Sequence, residues 1–232
     1  MIRIEPVSET CLMIYFGDQI DPLLTQRIAQ VSHAIEQGFS DQVIEVIPSY
    51  TSILIQYHPL KISFNALQSK ILNWIAQQDH QLPVRAGKTI TLPVYYDPEV
   101  GPDLLSVAQC HGLTPRQVIE RHSQQSYTVC AIGFAPGFAF LASVDTAIAT
   151  ARHKEPRVKI PAGSVGIADR QTAVYPDDSP GGWQIIGNCP LPLFSPAASP
   201  MTPFEVGDMV QFEPIDKNAF LQQGGVIWPH WK

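Results

Sequence analysis

The stretch "KIPAGSVGIADRQTAVYPDDSPGGWQIIG", Lys159 to Gly187, sets groups that could bind an anion beside unusually bare backbone. Just before it, in "EPRVKIPAGS", Arg157 and Lys159 alternate along a predicted strand, so both fall on one face. A fixed cationic pair beside exposed backbone N–H groups suits a carboxylate or a phosphate; a solvated strand face is the alternative. Gly181 and Gly182 would let the backbone approach a ligand closely, and Trp183 either stacks on that ligand or fills the core. "GFAPGFAFLA" gathers Gly133, Phe134, Pro136, Gly137, Phe138, Phe140 and Leu141. Three aromatics with clearing glycines read as the wall of an apolar pocket or as a corner of the core.

Other chemistries find less support. "AGSVG", Ala162 to Gly166, departs from the nucleophile elbow G-x-S-x-G at its first position, and a strand rather than a helix follows Ser164. Its hydroxyl reads as a turn group bonded to local backbone. No phosphate loop G-x-x-x-x-G-K-[ST] occurs. Histidines and carboxylates do not recur with metal-ligand spacing, so no metal site is expected. His111 and His122 each sit near a predicted helix C-terminus, where an imidazole satisfies late carbonyls. Asp177 and Asp178 precede Ser-Pro and read as a solvated turn.

Composition sets the bounds. The chain has 232 residues and a formal net charge of −6. No basic stripe points to nucleic acid. No apolar run reaches the length of a membrane span, and the N-terminus lacks a signal-peptide pattern. The four cysteines, Cys11, Cys110, Cys130 and Cys189, lie far apart without a C-x-x-C pair. They are expected to be reduced, small buried residues of a cytoplasmic protein.

The elements that must position these groups fall into two regions. "RIEPV" and "TCLMIYF" read as strands, and "DPLLTQRIAQVSHAIEQG" as a helix. Asp21 is its expected N-cap, Pro22 its first residue, and Gly38 lies just past its end. Leu24, Ile28, Val31 and Ile35 share a face. "QVIEVIP" and "TSILIQY" are further strands, and "SFNALQSKILNWIAQQ" is a helix burying Leu67, Ile71, Trp74 and Ile75. The order ββαββα predicts an α+β sandwich. "DHQLPVRAGK" reads as a linker. After the strand "TITLPVYY" come two short helices, the second with a capping box at Thr114 and Gln117. Short strands punctuated by Gly and Pro then run to the end, as in a closed or half-closed barrel.

Taken together, "GFAPGFAFLA", "PRVKIPAGSVGIADRQTAVYPDDSPGGWQIIG", "CPLPLF" and the helical stretch carrying His122 resemble the carboxyltransferase subdomain C/D family. The resemblance spans nearly the whole chain. It implies an α+β protein: a small ferredoxin-like ββαββα sandwich over residues 1–82, then a cyclophilin-like β-barrel over 88–232. It implies a ligand-binding groove drawn from His122, Gly137, Phe138, Arg157, Lys159, Pro161, Gly163, Ser164, Gln171, Thr172, Tyr175, Pro176, Ser179, Pro180, Gly181, Gly182 and Trp183, with no catalytic role assigned among them. The family's members imply the B subunit of a heteromeric, ATP-dependent 5-oxoprolinase, working with subunits A and C, the latter a second cyclophilin-like protein. The alternatives are a KipI-like inhibitor that binds a sensor histidine kinase, and an allophanate hydrolase-type subunit 1. Two departures from the family pattern stand at the motif's edges. Ala139, Phe140, Ala142 and Ser143 replace P-Y-G-G, and Asp169 and Ala173 replace glycines.

Overall fold

The computed structural model describes residues 2–78, 87–229 and 231. The chain divides into two compact units, Met1–Gly87 and Lys88–Lys232. Of the stretch read as a linker, residues 79–86 lie outside the described residues.

The first unit contains β1 (Arg3–Pro6), β2 (Cys11–Tyr15), α1 (Pro22–Gly38), β3 (Val43–Ser49), β4 (Ser52–Tyr57) and α2 (Phe64–Gln78). Its strands pair antiparallel in the order β1-β2-β4-β3. Alternation gives the sheet one apolar face: Leu12, Ile14, Ile53 and Ile55 are fully buried. Ile28, Val31 and Ile35 of α1 and Leu67, Ile71 and Ile75 of α2 cover that face. The Asp21 carboxylate accepts from the Leu23 N–H at 2.9 Å and so caps α1. Gly38 is the last helical residue rather than the first beyond the end. The capping N–H there belongs to Phe39, which donates to the Ile35 carbonyl.

The second unit contains β5 (Thr89–Tyr95), α3 (Leu104–Cys110), α4 (Pro115–Ser123), β6 (Ser126–Ile132), β7 (Ala139–Ala142), β8 (Arg157–Ile160), β9 (Ser164–Ala168), β10 (Gln171–Val174), β11 (Ser179–Gly181), β12 (Gln184–Asn188), β13 (Met209–Ile215) and α5 (Lys217–Gln222). Seven of its strands close into a barrel in the order β6-β13-β5-β12-β9-β10-β7, with β7 returning to β6. β13 and β5 run parallel, and the other pairs are antiparallel. Leu92, Val94, Tyr127, Val129, Leu141, Val165, Ile167, Val174, Ile186, Val210 and Phe212 come from all seven strands and share one core. Leu104 and Val107 of α3 and Val118 of α4 join it. The capping box of α4 forms between Thr114 and Gln117.

Three strands of the glycine-rich block, β9, β10 and β12, are buried on both faces. In the ladder, Thr172 stands opposite Ile167, and Ala173 opposite Gly166. Ile185 also faces Gly166. Ala168, Ala173 and Ile185 therefore point away from the barrel core. They meet Phe138, Ile160, Tyr175 and Trp183 in a second apolar cluster. The two-stranded ribbon β8–β11 lies on this side, contributing Ile160.

Candidate functional site

Phe138 is the hub of the second cluster. Its ring centroid lies 4.8 Å from Phe140, 5.2 Å from Tyr175 and 5.7 Å from Trp183, the last two edge-on. Phe138, Tyr175 and Trp183 are 1%, 2% and 6% exposed, so these aromatics are a core layer on the outside of the barrel. The turn before Phe138 explains its glycine. Gly137 has φ +79°, and a Cβ there would fall 2.8 Å from Phe194 Cβ and 2.9 Å from the Leu193 carbonyl. At the same turn Phe134 also adopts a positive φ and stays 66% exposed, its ring edge-on to Phe138 at 5.3 Å. A non-glycine residue in that conformation carries local strain.

The two predicted cations do stand on β8, but each already has a carboxylate. Arg157 Nη1 and Nη2 each donate to Asp103 at 2.8 Å, a bidentate pair whose side chains are 16% and 7% exposed. The buried Asp103 carboxylate also accepts the Ile185 N–H at 2.7 Å. His153 Nε2 lies 3.2 Å from it, without hydrogen-bond geometry. Asp103 precedes α3 yet makes no side-chain cap there, because its oxygens are spent on Arg157 and β12. Gly101 allows this approach: a Cβ would overlap the Ile186–Gly187 peptide. Lys159 pairs with Asp178 on the exposed side of the ribbon. That pairing, together with the Ala162 N–H, holds the Asp178 carboxyl below the usual carboxylate range. The expected free cationic pair is thus a buried clamp and a solvated ion pair. Arg157 keeps three of the five N–H donors of a guanidinium beyond those given to Asp103.

His122 goes elsewhere. The ring does not satisfy carbonyls at the end of α4 but turns into the barrel, fully buried and stacked on Phe212 at 4.6 Å. Tyr96 Oη lies 2.7 Å from Nδ1, and Thr172 Oγ1 lies 2.9 Å from Nε2. Thr172 Oγ1 donates to the Gly166 carbonyl, so its lone pair is left to accept the proton of Nε2. Nδ1 then accepts from Tyr96, and the chain Tyr96–His122–Thr172–Gly166 is satisfied with a neutral imidazole. Burial pushes the His122 pKa down to about 3. His111 similarly bonds a side chain, Thr150 Oγ1, at 3.0 Å.

The remaining predicted residues shape backbone. Ser164 is fully buried, its hydroxyl without a partner among the described residues, which does not suit a nucleophile. Gly163 has φ +80°, and a Cβ would sit 2.3 Å from the Cys189 carbonyl oxygen. Its N–H donates to Tyr175 and its carbonyl accepts from Cys189, which stitches β9 to its neighbours. Pro161 precedes this junction and its carbonyl accepts the Ser164 N–H. Gln171 is half-buried at the start of β10. Pro176 lies on the approach to the ribbon, and Ser179 and Pro180 are in its strand β11, where Ser179 Oγ donates to the Asp177 carbonyl. Gly181 presses against the Tyr175 hydroxyl, and Gly182 lies beside the His153 carbonyl and Arg152.

The outer face therefore collects Phe138, Arg157, Tyr175, Gly181, Gly182 and Trp183, while His122 and Thr172 belong to the barrel interior. Sequence reasoning missed Asp103, Tyr96 and the two C-terminal tryptophans, Trp228 and Trp231. Lys159 Nζ lies 4.7 Å from the Trp228 ring, and the Arg157 guanidinium 6.0 Å from that of Trp231. Each partner is dozens of residues away in sequence, so no local spacing could reveal it. Among the described residues, no group of three or more His, Cys, Asp or Glu side chains could hold a metal ion. No described helix is long and apolar enough to cross a membrane. Cys110 is exposed and Cys11 half-buried, unlike the buried Cys130 and Cys189.

A closed mixed-direction barrel with an outer aromatic layer, fixed by the glycine-rich block, defines a class of protein. The chain belongs to the family of the carboxyltransferase domain, subdomain C and D, whose model matches residues 2–204. Among its relatives, the 5-oxoprolinase B subunit of Bacillus subtilis (strain 168) is 37% identical over 230 residues, covering 94% of this chain and 95% of that protein. The 5-oxoprolinase B subunit of Escherichia coli O157:H7 is 40% identical over 211 residues, covering 90% and 94%. The solved urea carboxylase of Kluyveromyces lactis shares the fold, with a TM-score of 0.72 at 16% identity, over 96% of this chain and 23% of that one.

Proposed function

We propose that this chain is the B subunit of a heteromeric, ATP-dependent 5-oxoprolinase, which opens the lactam of 5-oxoproline to glutamate. The observation that carries this reading is end-to-end similarity to two proteins of that name, at 37% and 40% identity over at least 94% of their lengths. A lactam is a poor electrophile. Phosphorylating its oxygen with ATP makes the ring carbonyl carbon easier for water to attack. Clamped donors that are already oriented would stabilise charge developing there without reorganising. Arg157, clamped by Asp103, would orient the bound substrate for that attack.

ATP is a substrate of the complex in this reading. The chain has no phosphate loop, so ATP binding is assigned to the assembly rather than to a motif here. The partners are subunits A and C, the chain is inactive alone, and the complex works in the cytoplasm. The barrel is read as cyclophilin-like and the N-terminal sheet with its two helices as ferredoxin-like, over residues 88–232 and 1–82.

Glutamate release from 5-oxoproline and ATP is the test. This chain alone should give none, and the mixture with both partners should turn over. Turnover by the chain alone, or none in any mixture, would sink the proposal. In the second case, capture of a sensor histidine kinase would favour an inhibitor instead.

A further inference from the structure

The family match ends at residue 204, yet the chain continues through β13 and α5 to a short tail that carries Trp228 and Trp231. This tail does not trail away. Gly224 takes φ +92°, and Gly225 packs so closely on Phe220 that a Cβ would sit 2.3 Å from its ring. The Gly225 N–H donates to the Phe220 carbonyl, which turns the chain back after α5. The Trp228 ring then lies on Lys159, and the Trp231 ring faces the Arg157 guanidinium. Trp231 Nε1 donates to the Glu99 carbonyl at 3.3 Å. The same ring packs on the cluster of Phe138, Tyr175 and Trp183.

The tail thus reaches both cations of β8 and the aromatic layer beside them. Asp103 holds one edge of the Arg157 guanidinium, whose central carbon also lies over the Trp231 ring, 6.0 Å from its centroid. The guanidinium's other three N–H groups are not given to Asp103, and the side chain keeps 16% exposure. An aromatic face over a cation also excludes water, which strengthens the remaining charge-assisted bonds. Lys159 is held by the Trp228 ring and by a half-exposed ion pair, of a kind worth little.

We propose that Trp231 is a wall of the ligand site, supplied by the C-terminal tail, and that the site takes the carboxylate of a small lactam acid on Arg157. The identity of the acid rests on the function proposed above; the site itself rests on the tail's geometry. Trp231 is a positioning residue, because it acts through the orientation and desolvation of Arg157.

The test uses the chain with its partner subunits. Trp231→Ala should raise KM for 5-oxoproline about tenfold with kcat within about twofold, in line with a partly desolvated cation–aromatic contact. Trp231→Phe, which keeps a ring, should recover most of that loss. A chain ending at Gln223 should behave like Trp231→Ala. Unchanged KM in the alanine and shortened chains overturns the proposal. So does a fall in kcat and melting temperature together that phenylalanine does not rescue, since that marks a structural role. Should the wild-type complex prove inactive, the functional reading fails, and the wall is judged on the chain alone. There, sodium 5-oxoprolinate should change tryptophan fluorescence in the wild type and bind about tenfold more weakly to Trp231→Ala. No tail-dependent difference overturns it.

Discussion

His122 carries a single ring proton in the folded barrel, and its neutrality has a measurable cost in acid. An unfolded histidine titrates near 6.5, and burial brings the folded value down to about 3. Between these values the unfolded state binds a proton that the folded state refuses. Stability therefore rises with pH across that window and is lost on acidification from about 6.5 toward about 3. The slope reaches about 1.4 kcal/mol per pH unit, so urea unfolding should show about 2 kcal/mol less stability at pH 5 than at pH 7. His122→Gln should be less stable at pH 7 but nearly flat across that range; equal slopes in the two proteins would refute this account. Arg157 raises a different issue at the same scale. Arg157→Ala strands the Asp103 carboxylate, and removing one partner of a buried pair costs about 3–5 kcal/mol. The double change Asp103→Ala/Arg157→Ala should recover part of that in denaturant midpoints. Activity lost by Arg157→Ala alone therefore reports on stability as well as on ligand binding.

At the scale of elements, two glycines behave oppositely. Gly163 combines φ +80° with a backbone oxygen where its Cβ would go, so Gly163→Ala should cost about 2 kcal/mol or more. Gly38 has open space around it and closes α1 in helical conformation, so Gly38→Ala should stabilise by about 0.5–1 kcal/mol. Thermal melts of the two variants should shift in opposite directions. This contrast also shows what the sequence could convey. Helices and strands with strong periodicity were legible: α1 buries Ile28, Val31 and Ile35, as its spacing requires. The capping box of α4 was legible because its partners are three residues apart. The candidate site was legible as a set of glycines and aromatics but not as a geometry. Alternation placed Arg157 and Lys159 together on β8. It could not reveal that Asp103, held against β12 by the Ile185 N–H, would neutralise the first. Nor could it show that His122 faces inward, because helix phase fixes a face and not which core that face meets.

For the whole molecule, the two compact units each carry a separate apolar core, Ile4 to Ile75 in one and Leu92 to Phe212 in the other. Each core is large enough to fold by itself. A fragment of residues 88–232 should unfold cooperatively in urea; a non-cooperative transition would show that the barrel depends on the first unit.

The parallel pairing of β5 with β13 sets Thr89 beside Met209 and Tyr95 beside Ile215. Lys88 and Asp208 reinforce the same junction, with the Lys88 N–H on the Asp208 carboxylate and the Met209 N–H on the Lys88 carbonyl. On a ribosome, β5 emerges long before the strand it must lie against, and every other barrel strand is made in between. The first-made strand of this unit therefore waits, with one edge unsatisfied, for the last of the barrel strands to be made. Closure of so long a loop is slow, and an open strand edge in the meantime is a hazard for association with other chains. Barrel completion is thereby tied to the synthesis of β13, so a nascent chain stalled before Met209 would carry an exposed β5 edge whatever the state of the first unit.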